Sequence, residues 1–237
     1  MHARQFAPTR CRPVLLVGVL WITMAACGGS SQRALPAAAR TTASATASSS
    51  AGSQSAETQL APGATYFGIG LSPTPRKPAF TLTRTDGQPF PLTTATAGTL
   101  TYLYFGYTRC PDACPTTMAD LSLALSKQPA DVRSRVRVVF VTTDPARDTP
   151  AVLQAWLAHF DGSFVGLTGS QAQIQLAERL AGVPLAKPEQ VAGGGYSVQH
   201  SAELFAYSPD GFSHVVYADG FTAAQYAHDM PLLLQRS

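Results

Sequence analysis

The sequence contains little cysteine and little charge. Only 4 of its 237 residues are cysteine, and Asp, Glu, Lys and Arg together make up 13%. So few cysteines exclude a disulfide scaffold, and a chain of this length can bury a core without one. Three of the 17 Lys and Arg residues precede Cys27, so the remaining 14 balance the 14 Asp and Glu residues. A neutral chain gives no electrostatic reason to expect nucleic-acid binding.

The N-terminal apolar run is short. It covers residues 13–26, PVLLVGVLWITMAA, and follows a segment with three arginines and no acid. Because a membrane-spanning helix needs about 20 apolar residues, the run indicates an export signal over residues 1–26. Cys27 follows small residues as in the lipobox of bacterial lipoproteins, although Met24 stands where leucine is usual. We therefore predict a lipid anchor at Cys27; an ordinary signal peptide that happens to contain a cysteine is the alternative.

The composition divides the rest of the chain into two parts. Residues 27–65 are mainly Ala, Ser, Thr, Gly and Gln, with almost no large apolar side chain. Such a segment cannot bury enough surface to offset its ordering entropy, so we predict a flexible tether with a reach of roughly 30 Å. Residues 66–237 have the size and composition of one globular domain.

This domain alternates strand and helix patterns. Alternating or continuous apolar residues predict strands, and apolar residues at helical spacing predict helices. The predicted strands lie in 78–92 (a hairpin), 98–108, 136–144 and 200–221 (a second hairpin), and the predicted helices are 115–128, 148–160, 171–183 and 222–235. Thr149 is a candidate N-cap, and Pro231 is expected to kink or interrupt the last helix. The order predicts an α/β fold, a three-layer sandwich with a mixed central β-sheet and an N-terminal β-hairpin extension.

Cys110 and Cys114 lie in GYTRCPDACP, where a predicted strand meets a predicted helix. A cysteine pair at such a junction is typical of thioredoxin-like proteins. The helix N-terminus favours thiolates, so we expect a lowered pKa for both cysteines. Their i, i+4 spacing would place both sulfurs on one helical face, directed at a single object. That object is the other sulfur or a metal ion; a permanent disulfide, or two unreactive thiols, is the purely structural alternative.

The available donors favour copper over zinc. A structural zinc site uses four Cys or His ligands, and the domain has only two cysteines, whereas two thiolates and one imidazole suit copper. His159 ends a predicted helix, where capping explains it, and His228 lies among polar neighbours. His200 follows the glycine-rich segment VAGGGYSVQ, a presumed flexible loop that would let the imidazole move toward the sulfurs. His200 is therefore the better candidate ligand, and His214 on the second hairpin strand is the alternative.

Three motifs resemble those of one family. GYTRCPDACP is similar to the F/G-Y-T-x-C-P-x-x-C-P motif of the Sco/SenC proteins, VTTDPARDTP to their D-P-x-R-D-T-P segment, and YSVQHSAELFAYSPDG to their Y-x-V-x-H-S/T…D-P-D-G segment. The resemblance implies a thioredoxin-like domain tethered at the extracytoplasmic face of the bacterial plasma membrane. It also implies copper binding by Cys110, Cys114 and His200 in assembly of the copper site of cytochrome c oxidase. The implied partners are the oxidase subunit, an upstream copper donor and a thioredoxin-like reductant.

Two positions near the predicted ligands have open roles. Gln199 stands where many family members have an aspartate before the ligand histidine; an acid there would orient the imidazole and raise copper affinity. Asp144 ends the predicted strand in VTTDPARDTP, and we expect it to orient a ligand or to contact a partner. Arg147, Asp148 and Thr149 are expected to fix the loop and to start the next helix.

The competing hypothesis is a thiol–disulfide oxidoreductase or a redox sensor acting on the oxidase subunit, with Cys110 and Cys114 as a redox-active pair. Dedicated thioredoxin-like reductases have C-x-x-C and a cis-proline opposite the pair. This chain has C-x-x-x-C and no proline in YSVQHSAE. We therefore expect a carrier rather than an enzyme.

Overall fold

The computed structural model of this chain describes residues 65–236. The predicted export signal, Cys27 and nearly all of the predicted tether lie outside the described residues. Within residues 65–236, no helix combines the length and the apolar composition needed to cross a bilayer.

The described part of the chain contains helices and strands in mixed order. The strands are β1 (Ile69–Gly70), β2 (Thr81–Arg84), β3 (Pro89–Pro91), β4 (Leu100–Gly106), β5 (Val136–Thr142), β6 (Val165–Thr168), β7 (Lys187–Gln190), β8 (Tyr196–Gln199), β9 (Leu204–Tyr207) and β10 (Ser213–Tyr217). The helices are α1 (Leu92–Ala95), α2 (Ala113–Ser126), α3 (Ala130–Ser134), α4 (Pro150–Ala158), α5 (Gln171–Ala181) and α6 (Ala223–Leu234).

Eight of these strands form one mixed sheet in the order β1-β10-β9-β4-β5-β6-β2-β3. The neighbours β4, β5 and β6 are parallel, and the other pairs are antiparallel. The predicted N-terminal hairpin is β2–β3, at one edge of the sheet, and the second predicted hairpin is β9–β10. β7 and β8 pair separately as a two-stranded ribbon.

The core lies on both faces of the sheet. Along β4, Tyr102 and Tyr104 belong to one apolar cluster, and Leu103 and Phe105 belong to the other, because successive strand side chains point to opposite faces. The first cluster includes residues of α2, α4 and α6, and the second includes residues of α5. The predicted three-layer α/β sandwich with a mixed central sheet is therefore confirmed.

Local chemistry explains two of the helices. α4 begins where the side chain of Thr149 accepts a hydrogen bond from the N–H of Val152, with Pro150 at the first helical position, as predicted. Of the two expectations for Pro231, interruption of the helix was wrong, since α6 continues through this residue. Proline removes the N–H that would bond to the carbonyl of Ala227, and the side-chain amide of Gln128 donates to that carbonyl at 2.8 Å instead.

The glycine-rich segment before His200 differs from the expectation. It was predicted as a flexible loop, but it is the tip of the β7–β8 ribbon, and β8 leads directly to His200. Gly193, Gly194 and Gly195 have φ of 91°, 94° and 85°, a conformation that few other residues adopt. β7 was not predicted because its four residues, KPEQ, are all exposed and show no alternation of apolar and polar side chains.

Candidate metal centre

The cysteine loop joins the end of β4 to the start of α2. Cys110 precedes the helix and Cys114 lies in its first turn, so the prediction that both occupy one helical face was wrong. The half-buried Cys110 Sγ instead accepts a hydrogen bond from the N–H of Cys114 at 3.4 Å. The two cysteines are free thiols, not a disulfide. The N-terminus of α2 therefore donates a backbone hydrogen bond to the Cys110 sulfur and not to both sulfurs.

Asp148 fixes this loop from the adjacent β5–α4 connection. Its buried carboxylate accepts from the N–H of Thr108 at 2.9 Å and from the Thr108 hydroxyl at 2.6 Å. It also accepts from the hydroxyl of Thr142, the last residue of β5, at 2.7 Å. The bond to Thr142 fixes the β5–α4 connection, as expected of Asp148, and the bonds to Thr108 extend this role to the cysteine loop.

Gly106 allows the Cys114 sulfur to lie directly against β4. A Cβ atom at this position would lie 2.7 Å from Cys114 Sγ, 2.9 Å from Phe140 Cζ and 2.9 Å from Tyr104 Cε1. Any side chain larger than hydrogen would therefore displace the sulfur or a buried ring.

His200 brings an imidazole to the sulfurs. Its Nε2 lies 3.5 Å from Cys114 Sγ, and its Nδ1–H donates to the carbonyl of Ser201 at 2.8 Å. This second bond leaves the Nε2 lone pair of the neutral ring directed at the cysteines. The edges and faces of Tyr104 and Tyr107 enclose the ring, with centroid distances of 6.1 and 5.6 Å. The donor atoms of Cys110, Cys114 and His200 all lie within 4.8 Å of one another.

The two thiols differ in acidity. The hydrogen bond with Cys114 holds the pKa of Cys110 well below its usual value; burial opposes this shift, and His200 and the backbone N–H of Asp112 add to it. Burial raises the pKa of Cys114, and the neighbouring Cys110 raises it further. The expectation of a lowered pKa for both cysteines was therefore wrong for Cys114, because that thiol is completely buried whereas Cys110 is not.

The acidity of His200 is coupled to the half-buried sulfur of Cys110. Burial alone would lower the pKa of His200, but the hydrogen bond with Cys110, the Ser201 carbonyl and the charge on Cys110 together raise it above its usual value. Because the pKa of Cys110 is lowered and that of Cys114 is raised, Cys110 is the more readily ionised of the two thiols.

Asp144 lies outside this cluster and contacts the strand that leads to His200. Its carboxylate accepts from the hydroxyl of Tyr196 at 2.9 Å and pairs with Arg147. Arg147 Nη1 also donates to the carbonyl of Tyr196 at 2.8 Å, and its guanidinium lies 3.7 Å from the centre of the Tyr196 ring. Residues of the segment DPARDTP therefore contact both ligand-bearing elements, the cysteine loop through Asp148 and β8 through Asp144 and Arg147.

The remaining candidates lie elsewhere. Gln199 donates to Glu189 on β7 at 2.6 Å. His214 Nε2 contacts Asp210 at 2.7 Å, so the structure does not bring this alternative ligand to the cysteines. His159 is the C-cap residue that follows α4, and His228 is half exposed beside Asp229.

Three residues near the centre were not predicted from the sequence: Gly106, Glu178 and Tyr196. Tyr196 and Gly106 lie within quoted motifs, but nothing in the pattern distinguishes them from their neighbours. Glu178 had a usable signal, since it follows Ile174 by four residues on the apolar face of α5. It is buried and accepts from the N–H of Ala186, which precedes β7. This contact holds the ribbon against α5, and burial raises the pKa of Glu178.

The fold and the centre together define a class of protein: a thioredoxin-like domain with two sulfurs and one imidazole at the strand-to-helix junction. This donor set fits a soft ion such as Cu(I), because thiolates are its preferred ligands and three-coordinate sites are common. The chain belongs to the SCO1/SenC family, whose pattern it matches over residues 71–235.

Individual relatives agree with this assignment. A protein of Stutzerimonas stutzeri, named as a candidate copper-binding protein, is 39% identical over 134 residues, which cover 56% of this chain and 65% of that protein. Across eight such relatives, the chain spans 34–65% of the relative's length.

Solved structures show the same fold. The apo Sco1 protein from Thermus thermophilus is 34% identical, with a TM-score of 0.63 over 72% of this chain and 98% of that one. ScoI from Bradyrhizobium japonicum with copper bound is 30% identical, with a TM-score of 0.59 over 70% of this chain and 99% of that one. The predicted thioredoxin-like fold and the resemblance to the Sco/SenC family are confirmed.

Proposed function

We propose that this protein is a copper metallochaperone that binds copper through Cys110, Cys114 and His200. We further propose that a lipid on Cys27 tethers it to the extracytoplasmic face of the bacterial plasma membrane, where it supports assembly of the copper site of cytochrome c oxidase. The observation that supports the proposal best is the convergence of two sulfurs and one imidazole nitrogen within 4.8 Å. The copper-bound relative from Bradyrhizobium japonicum adds to it.

Copper enters this centre as cargo. Binding requires the Cys114 thiol and a protonated His200 to lose their protons, so copper uptake releases protons and weakens as the pH falls. Cys110 is half-buried whereas Cys114 is completely buried. A thiolate or imidazole of the acceptor therefore reaches copper from the Cys110 side, and transfer proceeds by stepwise exchange of ligands.

In this proposal, oxidation of Cys110 and Cys114 prevents copper binding. The ionised Cys110 sulfur attacks a disulfide of an oxidised partner, and Cys114 then attacks Cys110 to form the Cys110–Cys114 bond. The partner's disulfide is broken, and its two sulfurs leave with both electrons and the proton of Cys114. Both sulfur ligands for copper are thereby removed at once. A thioredoxin-like reductant would restore the two thiols. The sulfurs already lie within 4.8 Å of each other, so the bond needs only a small local movement.

Asp144 has a positioning role in the proposal. With Arg147 it holds Tyr196, the first residue of β8, and His200 follows the last residue of the same strand. The contacts give Asp144 an effect on the imidazole through the strand rather than through direct coordination.

A thiol–disulfide oxidoreductase is the second candidate, and the acidity of the thiols favours it. A half-buried Cys110 with a lowered pKa is a suitable nucleophile, and a protonated Cys114 behind it is a suitable resolving thiol. The two functions differ in their need for the imidazole. Copper binding uses it as a ligand, whereas in thiol exchange only the sulfurs form and break bonds and the imidazole contributes only to the acidity of Cys110.

Copper titration of the reduced protein tests the proposal. Cu(I) and Cu(II) are added against a competing chelator to the wild type, His200→Ala, Cys110→Ser/Cys114→Ser and a pre-oxidised sample, with His159→Ala as the matched histidine control. We expect one-to-one binding with a sulfur-to-Cu(II) absorption band, weakened in His200→Ala, unchanged in His159→Ala and absent after oxidation.

The opposite pattern would favour the reductase. Copper binding no tighter than that of the double serine variant would refute the metallochaperone. Disulfide reduction that survives in His200→Ala would then support the second candidate.

A further inference from the structure

Two buried tyrosine hydroxyls on β4 have no hydrogen-bond partner among the described residues: those of Tyr102 and Tyr104. Buried hydroxyls are nearly always bonded, because leaving one unpaired is unfavourable, so each such group needs an explanation. Both side chains are completely buried and point to the same face of the sheet. Only Tyr104 lies next to the proposed copper ligands.

Tyr104 adjoins Cys114 and His200. Its ring contacts the His200 ring at a centroid distance of 6.1 Å and the Phe140 ring at 5.8 Å. The Cβ position of Gly106 lies 2.7 Å from Cys114 Sγ and 2.9 Å from Tyr104 Cε1, so the sulfur and the ring edge beside the hydroxyl face the same small space.

The hydroxyl keeps its proton in this setting. Burial raises the pKa of Tyr104. No acceptor among the described residues takes the phenolic proton, so it remains available for one. A thiol sulfur is only a weak acceptor of such a proton.

We propose that the Tyr104 hydroxyl donates a hydrogen bond to the Cys114 sulfur once copper has displaced the thiol proton. The inference rests on the proposed function and adds a positioning residue to it. A thiolate is a strong acceptor, so metal binding pairs the hydroxyl that the metal-free protein leaves without a partner. The bond holds the buried sulfur in place and reduces its electron donation to the metal, which favours Cu(I) over Cu(II).

Tyr102 provides a matched control. It lies two residues away on the same strand and face, is equally buried, and also has an unpaired hydroxyl. Its ring packs against Tyr217 and Tyr226, with centroid distances of 6.2 and 6.3 Å, rather than against the cysteines. Tyr102→Phe and Tyr104→Phe therefore remove the same atom from two equally buried positions. Tyr104 lies beside the metal centre, and Tyr102 lies away from it.

The experiment compares the two variants with the wild-type protein. Cu(I) and Cu(II) affinities are measured by chelator competition, and the sulfur-to-Cu(II) band is recorded. Proton NMR of the Cu(I)-loaded protein detects the phenolic proton directly. For Tyr104→Phe we expect roughly 10-fold weaker Cu(I) binding, as for a lost hydrogen bond to a charged group. We also expect a smaller loss for Cu(II), a band at longer wavelength, and loss of one slowly exchanging proton signal.

Tyr102→Phe should match the wild type in all of these. Equal behaviour of the two variants, with wild-type spectra and affinities, would overturn the hydrogen bond while leaving the proposed function intact. If the wild-type protein itself bound no copper, the proposed function would fail, and this inference with it.

Discussion

Replacing Gly106 with alanine tests how the buried sulfur is positioned. The added Cβ would lie 2.7 Å from Cys114 Sγ and 2.9 Å from both Phe140 Cζ and Tyr104 Cε1. The backbone cannot easily move away, because the Gly106 carbonyl accepts from the N–H of Thr143 at 2.6 Å and from its hydroxyl at 3.1 Å. The contact with the sulfur must therefore lengthen to at least 3.4 Å, an ordinary distance, by movement of Cys114.

The size of the effect follows from this crowding. Forcing one extra methyl group into a packed core costs about 1–3 kcal/mol, which lowers the Tm of a domain of this size by roughly 2–12 °C. If the Cys114 sulfur moves by several tenths of an ångström, it and the His200 nitrogen are no longer placed to bind the same copper ion. We expect copper affinity to fall about 10–100-fold, as it does when the support of a metal ligand is lost.

Gly162→Ala is the control for this prediction. A Cβ at Gly162 meets nothing within 4 Å, and its φ lies outside the left-handed region, so this substitution adds the same methyl group without crowding. Thermal unfolding followed by circular dichroism and chelator competition for copper are measured on both variants. If Gly106→Ala unfolded and bound copper like Gly162→Ala, the argument that Cys114 requires glycine beneath it would be refuted.

Three further predictions follow from other contacts. Tyr196→Phe removes the 2.9 Å bond to Asp144; we expect about 10-fold weaker copper binding and faster amide exchange in β8, and wild-type values of both would contradict the positioning role. Burial lowers the pKa of Lys77 to about 8 from 10.5, with Asp210 opposing. Between pH 8 and 10.5 the unfolded state therefore binds more protons than the folded state, so the free energy of unfolding should rise by about 3 kcal/mol across that window. Urea titrations at several pH values should show no such rise in Lys77→Met. If the free energies of unfolding of the two proteins changed with pH in parallel, the lowered pKa of Lys77 would be contradicted. The buried Asp229 carboxylate accepts from two backbone N–H groups and a tyrosine hydroxyl; Asp229→Asn should lose about 2–3 kcal/mol in urea unfolding, and an unchanged midpoint would show that these bonds contribute little.

The sequence determined those features that depend on neighbouring residues. Three such features could be predicted from short motifs because they depend on local contacts. They are the cap at Thr149, the turn between β2 and β3, and the position of the cysteines between a strand and a helix. The three-layer arrangement also followed from the order of strands and helices, because each element must bury its apolar face against another. These predictions needed no knowledge of long-range contacts.

Only the tertiary structure decided the chemistry of the centre. Cys110 and Cys114 look equivalent in the motif, yet Cys114 is completely buried and has a raised pKa, whereas Cys110 is half-buried and has a lowered one. His200 meets them from 86 residues away, on a ribbon whose first strand has no apolar pattern to reveal it. The pKa of each thiol depends on its burial and on residues distant in the chain. The distance between the sulfurs and the imidazole depends on how the sheet brings their strands together. Neither property can be derived from short sequence motifs, so only the tertiary structure shows them.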